Sequence, residues 1–169
     1  MLNDIFNRAE PLLTHLKHEE DILEKIAQIY DNHQKKEKPL EVYLERLSAI
    51  HSGRILMISE SWCSDCVIQY ALMRWLAEES PQLDIRVIAR TGLEDVVKKL
   101  IGREQAKIPC IVVLDENGQA KGVFVERPKS IRELETSDDQ MKRITLMRGY
   151  REGLFLWETL EELIDYLEE

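Results

Sequence analysis

Two cysteines separated by two residues are the side chains of this sequence best suited to covalent chemistry. Cys63 and Cys66 lie in the stretch 61–66, after an apolar run at 55–58 and before a helix-like pattern at 67–79. This position predicts that a strand gives way to a helix at the cysteines, where unpaired N–H groups of the helix N-terminus favour a thiolate. A second thiol one turn later can attack the mixed disulfide that the first one forms. The spacing therefore predicts thiol-disulfide exchange.

Length and charge narrow the classes of function. The 169 residues suit one domain with a sizeable core, and the net charge of −9 argues against binding to nucleic acid or to an anionic membrane. The first residues include neither a basic segment nor a long apolar run, so we expect a cytoplasmic protein. In that reducing compartment a Cys-x-x-Cys pair is typically redox-active rather than a structural disulfide.

The cysteines and histidines also allow other interpretations. The pair could be a chance feature of a structural helix start, and a cluster of two irons and two sulfides could use Cys63 with an external thiol. Zinc requires four ligands, yet a second Cys-x-x-Cys is missing, and His15 and His18 resemble surface histidines, so we expect no metal. A phosphate-binding glycine loop is also missing, so we expect no cofactor, neither flavin nor nicotinamide.

The third cysteine, Cys110, allows two interpretations. Its position directly after Pro109 makes it a possible redox partner of the other two cysteines. Strand alternation instead predicts that its side chain turns away from the Pro109 face and packs in the core, where free cysteines are common.

Apolar spacing predicts helices throughout residues 1–52. We expect a helix with a break at Pro11, a second apolar stripe over Ile22–Tyr30, a polar loop at 31–38, and a helix that begins at Pro39 and stops at Gly53. Near the other end, residues 127–152 fit no strand. There a capping box at Ser137–Gln140 predicts a helix that ends at Gly149. A final amphipathic helix is expected over 155–167.

Four apolar or alternating runs predict the strands, which are expected at 54–60, 83–89, 109–114 and 120–126. Helices at 63–79 and 93–101 separate the first three strands. Two strands joined by a helix should be parallel, whereas the Asn117-Gly118 turn predicts an antiparallel final hairpin.

The predicted fold class is therefore α/β, with a four-stranded mixed sheet flanked by helices. We divide the single domain into a helical extension at 1–52, a core at 53–126 plus 154–169, and a helical insertion at 127–153.

This order of elements resembles the thioredoxin family. The resemblance is carried by Trp62 before the Cys-x-x-Cys turn, by Ile108-Pro109 at the start of a later strand, and by the Asn117-Gly118 hairpin followed by a terminal amphipathic helix. It covers about residues 40–126 and the last helix, and it implies a thioredoxin-like fold.

The resemblance also implies roles for individual residues. Cys63 would be the exposed nucleophile, Cys66 the more buried resolving thiol, and Trp62 a shield on one side of the pair. Pro109 would be a cis proline against the cysteines, and the backbone of Ile108 would pair with an extended substrate peptide.

Two positions depart from the family pattern. Ser64-Asp65 replaces the Gly-Pro of thioredoxin, and Met57 stands where thioredoxin has a buried, proton-relaying aspartate. Asp65, with Glu60, disfavours a thiolate at Cys63 by like charge, so we expect a reductant rather than a strong oxidant.

The sequence thus predicts an enzyme that reduces the disulfides of a restricted protein or low-molecular-weight substrate. A thioredoxin-reductase-type electron donor is the expected partner. The alternative is a non-catalytic adaptor that senses redox state through the two thiols and binds a partner through its helical additions.

Overall fold

A five-stranded mixed sheet forms the centre of the fold. The computed structural model describes residues 1–34 and 40–169. Across the sheet the strands follow the order β1-β3-β2-β4-β5. Their bounds are Glu10–Pro11 (β1), Gly53–Ser59 (β2), Leu83–Ala89 (β3), Cys110–Leu114 (β4) and Ala120–Val125 (β5). β2 and β3 are parallel, and the other pairs are antiparallel.

The predicted fold class and the four predicted strands are confirmed, but the predicted strand number was wrong. The additional strand, β1, pairs with β3 through Glu10 opposite Val87 and Pro11 opposite Arg86. Two residues are too few to show alternation, and proline normally argues against a strand. These residues were therefore predicted to be a break between helices, and β1 was not predicted.

Helices cover both faces of the sheet. The first four are Leu2–Arg8 (α1), Leu12–Lys17 (α2), Glu20–Gln34 (α3) and Leu40–Ala49 (α4). The others are Ser64–Glu79 (α5), Glu94–Ile101 (α6), Lys129–Glu133 (α7), Gln140–Arg151 (α8) and Leu156–Glu168 (α9), with a 3₁₀ turn at Leu134–Thr136. None of the helices within 1–34 and 40–169 is long and apolar enough to cross a membrane.

Some predicted helix boundaries were wrong. The loop expected at 31–38 is helical as far as Gln34, and the remainder of that loop, with Pro39, lies outside the described residues. α4 ends at Ala49, and Gly53 begins β2 instead of stopping the helix.

The helical insertion holds more helix than the sequence indicated. α7 and the 3₁₀ turn were not foreseen. The N-cap of α8 is Asp139, whose carboxylate accepts a hydrogen bond from the Lys142 N–H. Gly149 lies inside α8, which continues to Arg151.

Strand alternation divides the core into two layers. On the first face, Ile55, Met57 and Ile111 pack with α2–α5 and α9. On the second face, Leu56, Ile58 and Cys110 pack with α1 and α6. The N-terminal helices thus contribute to both layers, because α1 covers the second face and α2 the first.

One close approach fastens the last helix to the edge strand. Gly122 of β5 lies directly under the ring of Tyr166 of α9, so that a Cβ at this position would overlap the base of the ring. The missing side chain therefore allows α9 to pack against β5 at this distance.

We predict that Gly122→Ala lowers the free energy of unfolding by about 1–3 kcal/mol, because the added methyl overpacks the contact with Tyr166. Urea unfolding measures the change. The same substitution in a Tyr166→Ala background should cost much less. An equal cost in both backgrounds would contradict the steric explanation.

Candidate functional site

The strand-to-helix turn predicted at the cysteines is present. Cys63 is the N-cap of α5, and its carbonyl accepts the hydrogen bond of the Val67 N–H at 3.0 Å. Its own N–H donates to the Glu60 carbonyl at 3.1 Å, which closes the turn after β2. Cys63 is half-buried, whereas Cys66 is fully buried in the first layer of the core. The two thiols therefore differ in access.

The two thiols also differ in acidity. A hydrogen bond from the Cys66 side chain, helped by backbone N–H groups and opposed by partial burial, lowers the pKa of Cys63 to about 7. The same hydrogen bond and burial raise the pKa of Cys66 far above its usual range. Near neutral pH Cys63 is thus partly ionised beside a protonated Cys66, which is the arrangement that a nucleophile and a resolving thiol require.

A proline loop lies against this pair. The Ile108-Pro109 peptide bond is cis, as predicted, and both residues are buried. The Cys63 Sγ lies 3.9 Å from the carbonyl oxygen of Ile108, to which it donates a long hydrogen bond in its protonated form. The Pro109 carbonyl accepts a hydrogen bond from the Glu126 N–H at 2.8 Å. The structure therefore brings Ile108 and Pro109 to Cys63, while their role in binding a substrate remains a prediction.

Trp62 and Ser64 are the exposed members of the motif. The Trp62 side chain is 71% exposed, and the guanidinium of Arg90 lies 5.6 Å from its ring centroid. Glu60 accepts hydrogen bonds from the Arg90 N–H and the Thr91 hydroxyl. An apolar ring thus stands at the surface beside the reactive sulfur. Whether it shields the pair stays a prediction.

Asp65 forms an ion pair that its sequence neighbours did not indicate. The Arg127 guanidinium donates to the Asp65 carboxylate at 2.9 Å, and it also lies 3.7 Å from Glu135. The Asp65 charge raises the pKa of Cys63, in the predicted direction, against the larger lowering by Cys66. Arg127 offsets part of this charge. No local pattern could have identified Arg127, because it lies in the connection between β5 and α7, far along the chain from Asp65.

A chain of polar side chains lies on the sheet face that carries Met57. The Ser59 hydroxyl, two residues after Met57, lies 2.8 Å from the Tyr70 hydroxyl, and the latter lies 3.3 Å from His15 Nε2. His15 in turn contacts the carboxylates of Glu10 and Glu19. The hydroxyls of Ser59 and Tyr70 thus stand in the interior near the position where the family has its acid.

Burial raises the pKa of Tyr70 above its usual range, and the hydrogen bond with Ser59 opposes part of that rise. Tyr70 follows Cys66 by one helical turn, and this spacing was available from the sequence. His15 was weighed only as a metal ligand and a surface histidine. Its contact with Tyr70 joins two distant parts of the chain and has no sequence signal.

Cys110 lies apart from the other cysteines. It belongs to the second layer of the core, whereas Cys66 belongs to the first, so the sheet separates them. Burial raises the pKa of Cys110 to about 12. The prediction that Cys110 packs in the core is confirmed. Within the described ranges, no three His, Cys, Asp or Glu side chains converge as a metal site.

Comparisons with known proteins agree with the fold. The model of a thioredoxin family matches residues 12–142, a range that begins at α2 and ends inside α8. Among curated proteins, no sequence matches this chain.

Two crystal structures share the architecture. A protein of unknown function from Pseudomonas aeruginosa has 24% identity and a TM-score of 0.78, and the match covers 96% of this chain and 94% of that one. An HIV epitope scaffold has 25% identity and a TM-score of 0.78, with 98% and 96% covered. These likenesses show the fold, and the descriptions of the two proteins name no activity.

We predict that Asp65→Asn lowers the pKa of Cys63 below about 7. The substitution removes a like charge beside the thiolate and frees Arg127, and both changes stabilise the anion. The pH dependence of the alkylation rate of Cys63, followed by mass spectrometry, gives this pKa. Glu135→Gln is the matched control, because it removes the outer carboxylate near Arg127 and should shift the pKa less. An unchanged or raised pKa in Asp65→Asn would contradict the electrostatic explanation.

Proposed function

Because the chain belongs to the thioredoxin family, we propose that it is a thiol-disulfide oxidoreductase that reduces disulfides of a restricted protein or low-molecular-weight substrate. The observation that carries this proposal is the asymmetry of the two thiols. Cys63 is accessible with a pKa of about 7, and Cys66 is buried and held protonated against it. A pair that differs in both access and acidity suits two successive exchange steps.

In the first step the Cys63 thiolate attacks one sulfur of the substrate disulfide. The Cys63–substrate bond forms, the substrate S–S bond breaks, and the leaving sulfur departs as a thiolate that takes a proton. In the second step Cys66 loses its proton and attacks Cys63 Sγ, which releases the second substrate thiol. The substrate gains two electrons and two protons, and the protein ends with a Cys63–Cys66 disulfide. An external dithiol reductant, such as a thioredoxin-reductase-type donor system, returns the protein to its reduced form.

The elements around Cys63 are proposed to position the substrate. Since the Ile108 carbonyl lies 3.9 Å from Cys63 Sγ, an extended peptide that pairs with the backbone at Ile108 would bring its disulfide to the thiolate. Trp62 would supply apolar surface beside the disulfide. Ser64 and Asp65 are proposed to modulate the acidity of Cys63 rather than to bind the substrate.

A reducing compartment fits this direction of exchange. The pKa of about 7 for Cys63 lies far above the ~3.5 of strongly oxidising thiols, whose thiolates are much more stabilised. The Asp65 charge contributes to that difference. We propose that the protein acts in the cytoplasm, where dithiol donors keep the pair reduced.

We predict that Cys63→Ser abolishes turnover and that Cys66→Ser accumulates a covalent complex with the substrate. The first variant lacks the nucleophile, and the second cannot resolve the mixed disulfide. Reduction of insulin driven by dithiothreitol measures turnover. Non-reducing electrophoresis after mixing the pre-reduced variant with substrate, without dithiothreitol, detects the complex.

Cys110→Ser is the matched control and should keep turnover, since Cys110 lies in the other layer of the core. If Cys66→Ser releases both substrate thiols without dithiothreitol, the resolving role is wrong. If the wild-type protein is oxidised once but does not cycle under excess reductant, the adaptor is favoured over the enzyme.

A further inference from the structure

A groove between α7 and α8 is connected to the Cys-x-x-Cys turn through Arg127. This α7–α8 groove has a volume of about 660 Å³ and is lined mainly by Ile131, Leu134, Arg143, Ile144, Met147 and Arg151. Arg127, Arg148 and one carboxylate, Glu135, also line it. The Arg127 guanidinium holds Asp65 of the Cys-x-x-Cys turn at 2.9 Å. The residue before Arg127, Glu126, donates its N–H to Pro109. A segment bound in the groove would therefore lie next to Cys63.

The charge of the groove opposes that of the whole protein. The chain carries a net charge of −9, yet α8 contains no Asp or Glu between Gln140 and Arg151. Two cations of the groove already have partners. Arg148 pairs with Glu152, and Arg127 pairs with Asp65 and Glu135. Arg143 and Arg151 are exposed and have no ion-pair partner among the described residues. The groove thus offers two guanidinium groups to an anionic ligand.

The groove also offers apolar surface. Ile131 and Leu134 are buried beneath it, while Ile144 at its rim is 56% exposed. Met141, one helical turn before Ile144, is 72% exposed and extends this surface along α8. Exposed apolar side chains framed by unpaired cations are typical of a surface that binds a polypeptide rather than a free anion.

We infer that the α7–α8 groove binds an acidic segment of the substrate polypeptide, with apolar residues between its carboxylates, next to the substrate disulfide. The inference rests on the proposed function and names the substrate class of the same site. Carboxylates of the substrate pair with Arg143 and Arg151, its apolar side chains pack on Ile144 and Met147, and its disulfide reaches Cys63 past Arg127 and Pro109. The net charge of the protein disfavours an anionic membrane as the occupant.

Single-turnover oxidation of the reduced protein tests this inference. Three disulfide peptides share the same apolar residues and carry Asp and Glu, Ser and Gln, or Lys at the flanking positions, and bis(2-hydroxyethyl) disulfide serves as the small neutral disulfide. Acid quenching, alkylation and mass spectrometry give the second-order rate constant for formation of the Cys63–Cys66 disulfide. We expect the acidic peptide to react fastest. In Arg143→Gln/Arg151→Gln, the rate constant for the acidic peptide divided by that for the small disulfide should fall roughly tenfold.

Arg8→Gln/Lys25→Gln is the matched control. It also removes two positive charges, but from exposed positions on α1 and α3. It should therefore leave the ratio of rate constants unchanged. An equal fall in this control would assign the effect to long-range charge and overturn the inference, as would equal rates with the three peptides. The groove would be assigned to membranes instead if two results came together. The wild-type protein would show no preference among the peptides, and Arg143→Gln/Arg151→Gln would lose binding to phosphatidylglycerol vesicles. A wild-type protein that no disulfide oxidises would refute the proposed function itself.

Discussion

The antiparallel pairing of β2 with β4 brings the Cys-x-x-Cys turn and the proline loop together. In this ladder Ile58 lies opposite Cys110, so the end of β2 and the start of β4 meet at one edge of the sheet. Cys63 follows β2 and Pro109 precedes β4, and the contact between Cys63 and the Ile108 carbonyl is a consequence of strand direction. On the other side of β2, the parallel partner β3 requires a crossover, and α5 supplies it. The helix N-terminus that carries Cys63 is thus placed by the same sheet.

The sheet also places Cys66 and Cys110 in different environments. Met57 and Ser59 lie on its first face, against which Cys66 of α5 packs, and Cys110 lies on the second face among mainly aliphatic side chains. Burial acts on both Cys66 and Cys110, but only Cys66 has a thiol partner within reach, and this contact lowers the pKa of Cys63. A hydrogen bond between two thiols therefore lowers the pKa of Cys63, whereas Cys110 has only the effect of burial.

Local patterns were sufficient to predict the elements of the core and the positions of Cys63 and Cys66, whereas the placement of Pro109 against the cysteines was implied by the family resemblance. Near-continuous apolar runs indicated β2 and β4, the spacing of α5 placed the cysteines at its start, and Asn117-Gly118 indicated the final hairpin. These features depend on residues close in sequence, where periodicity and turn chemistry are informative.

The partners of the site were not predictable in this way. Arg127 reaches Asp65, and His15 reaches Tyr70, only after distant elements have packed on the sheet. The α7–α8 groove depends on how two short helices are set against each other, and a sequence pattern does not determine that angle. These long-range contacts are not part of the Cys-x-x-Cys motif. They supply the charge around Cys63 and Cys66.

The two-residue strand β1 has a consequence for the behaviour of the chain in concentrated solution. Without it, the outer side of β3 would present a row of free backbone groups to which another chain could add a strand. Glu10 and Pro11 occupy part of that row, and proline has no N–H with which to continue the ladder outward. A charged residue and a proline at the margin of the sheet thus protect β3 from edge-to-edge association and aggregation, at the cost of only two ordered residues.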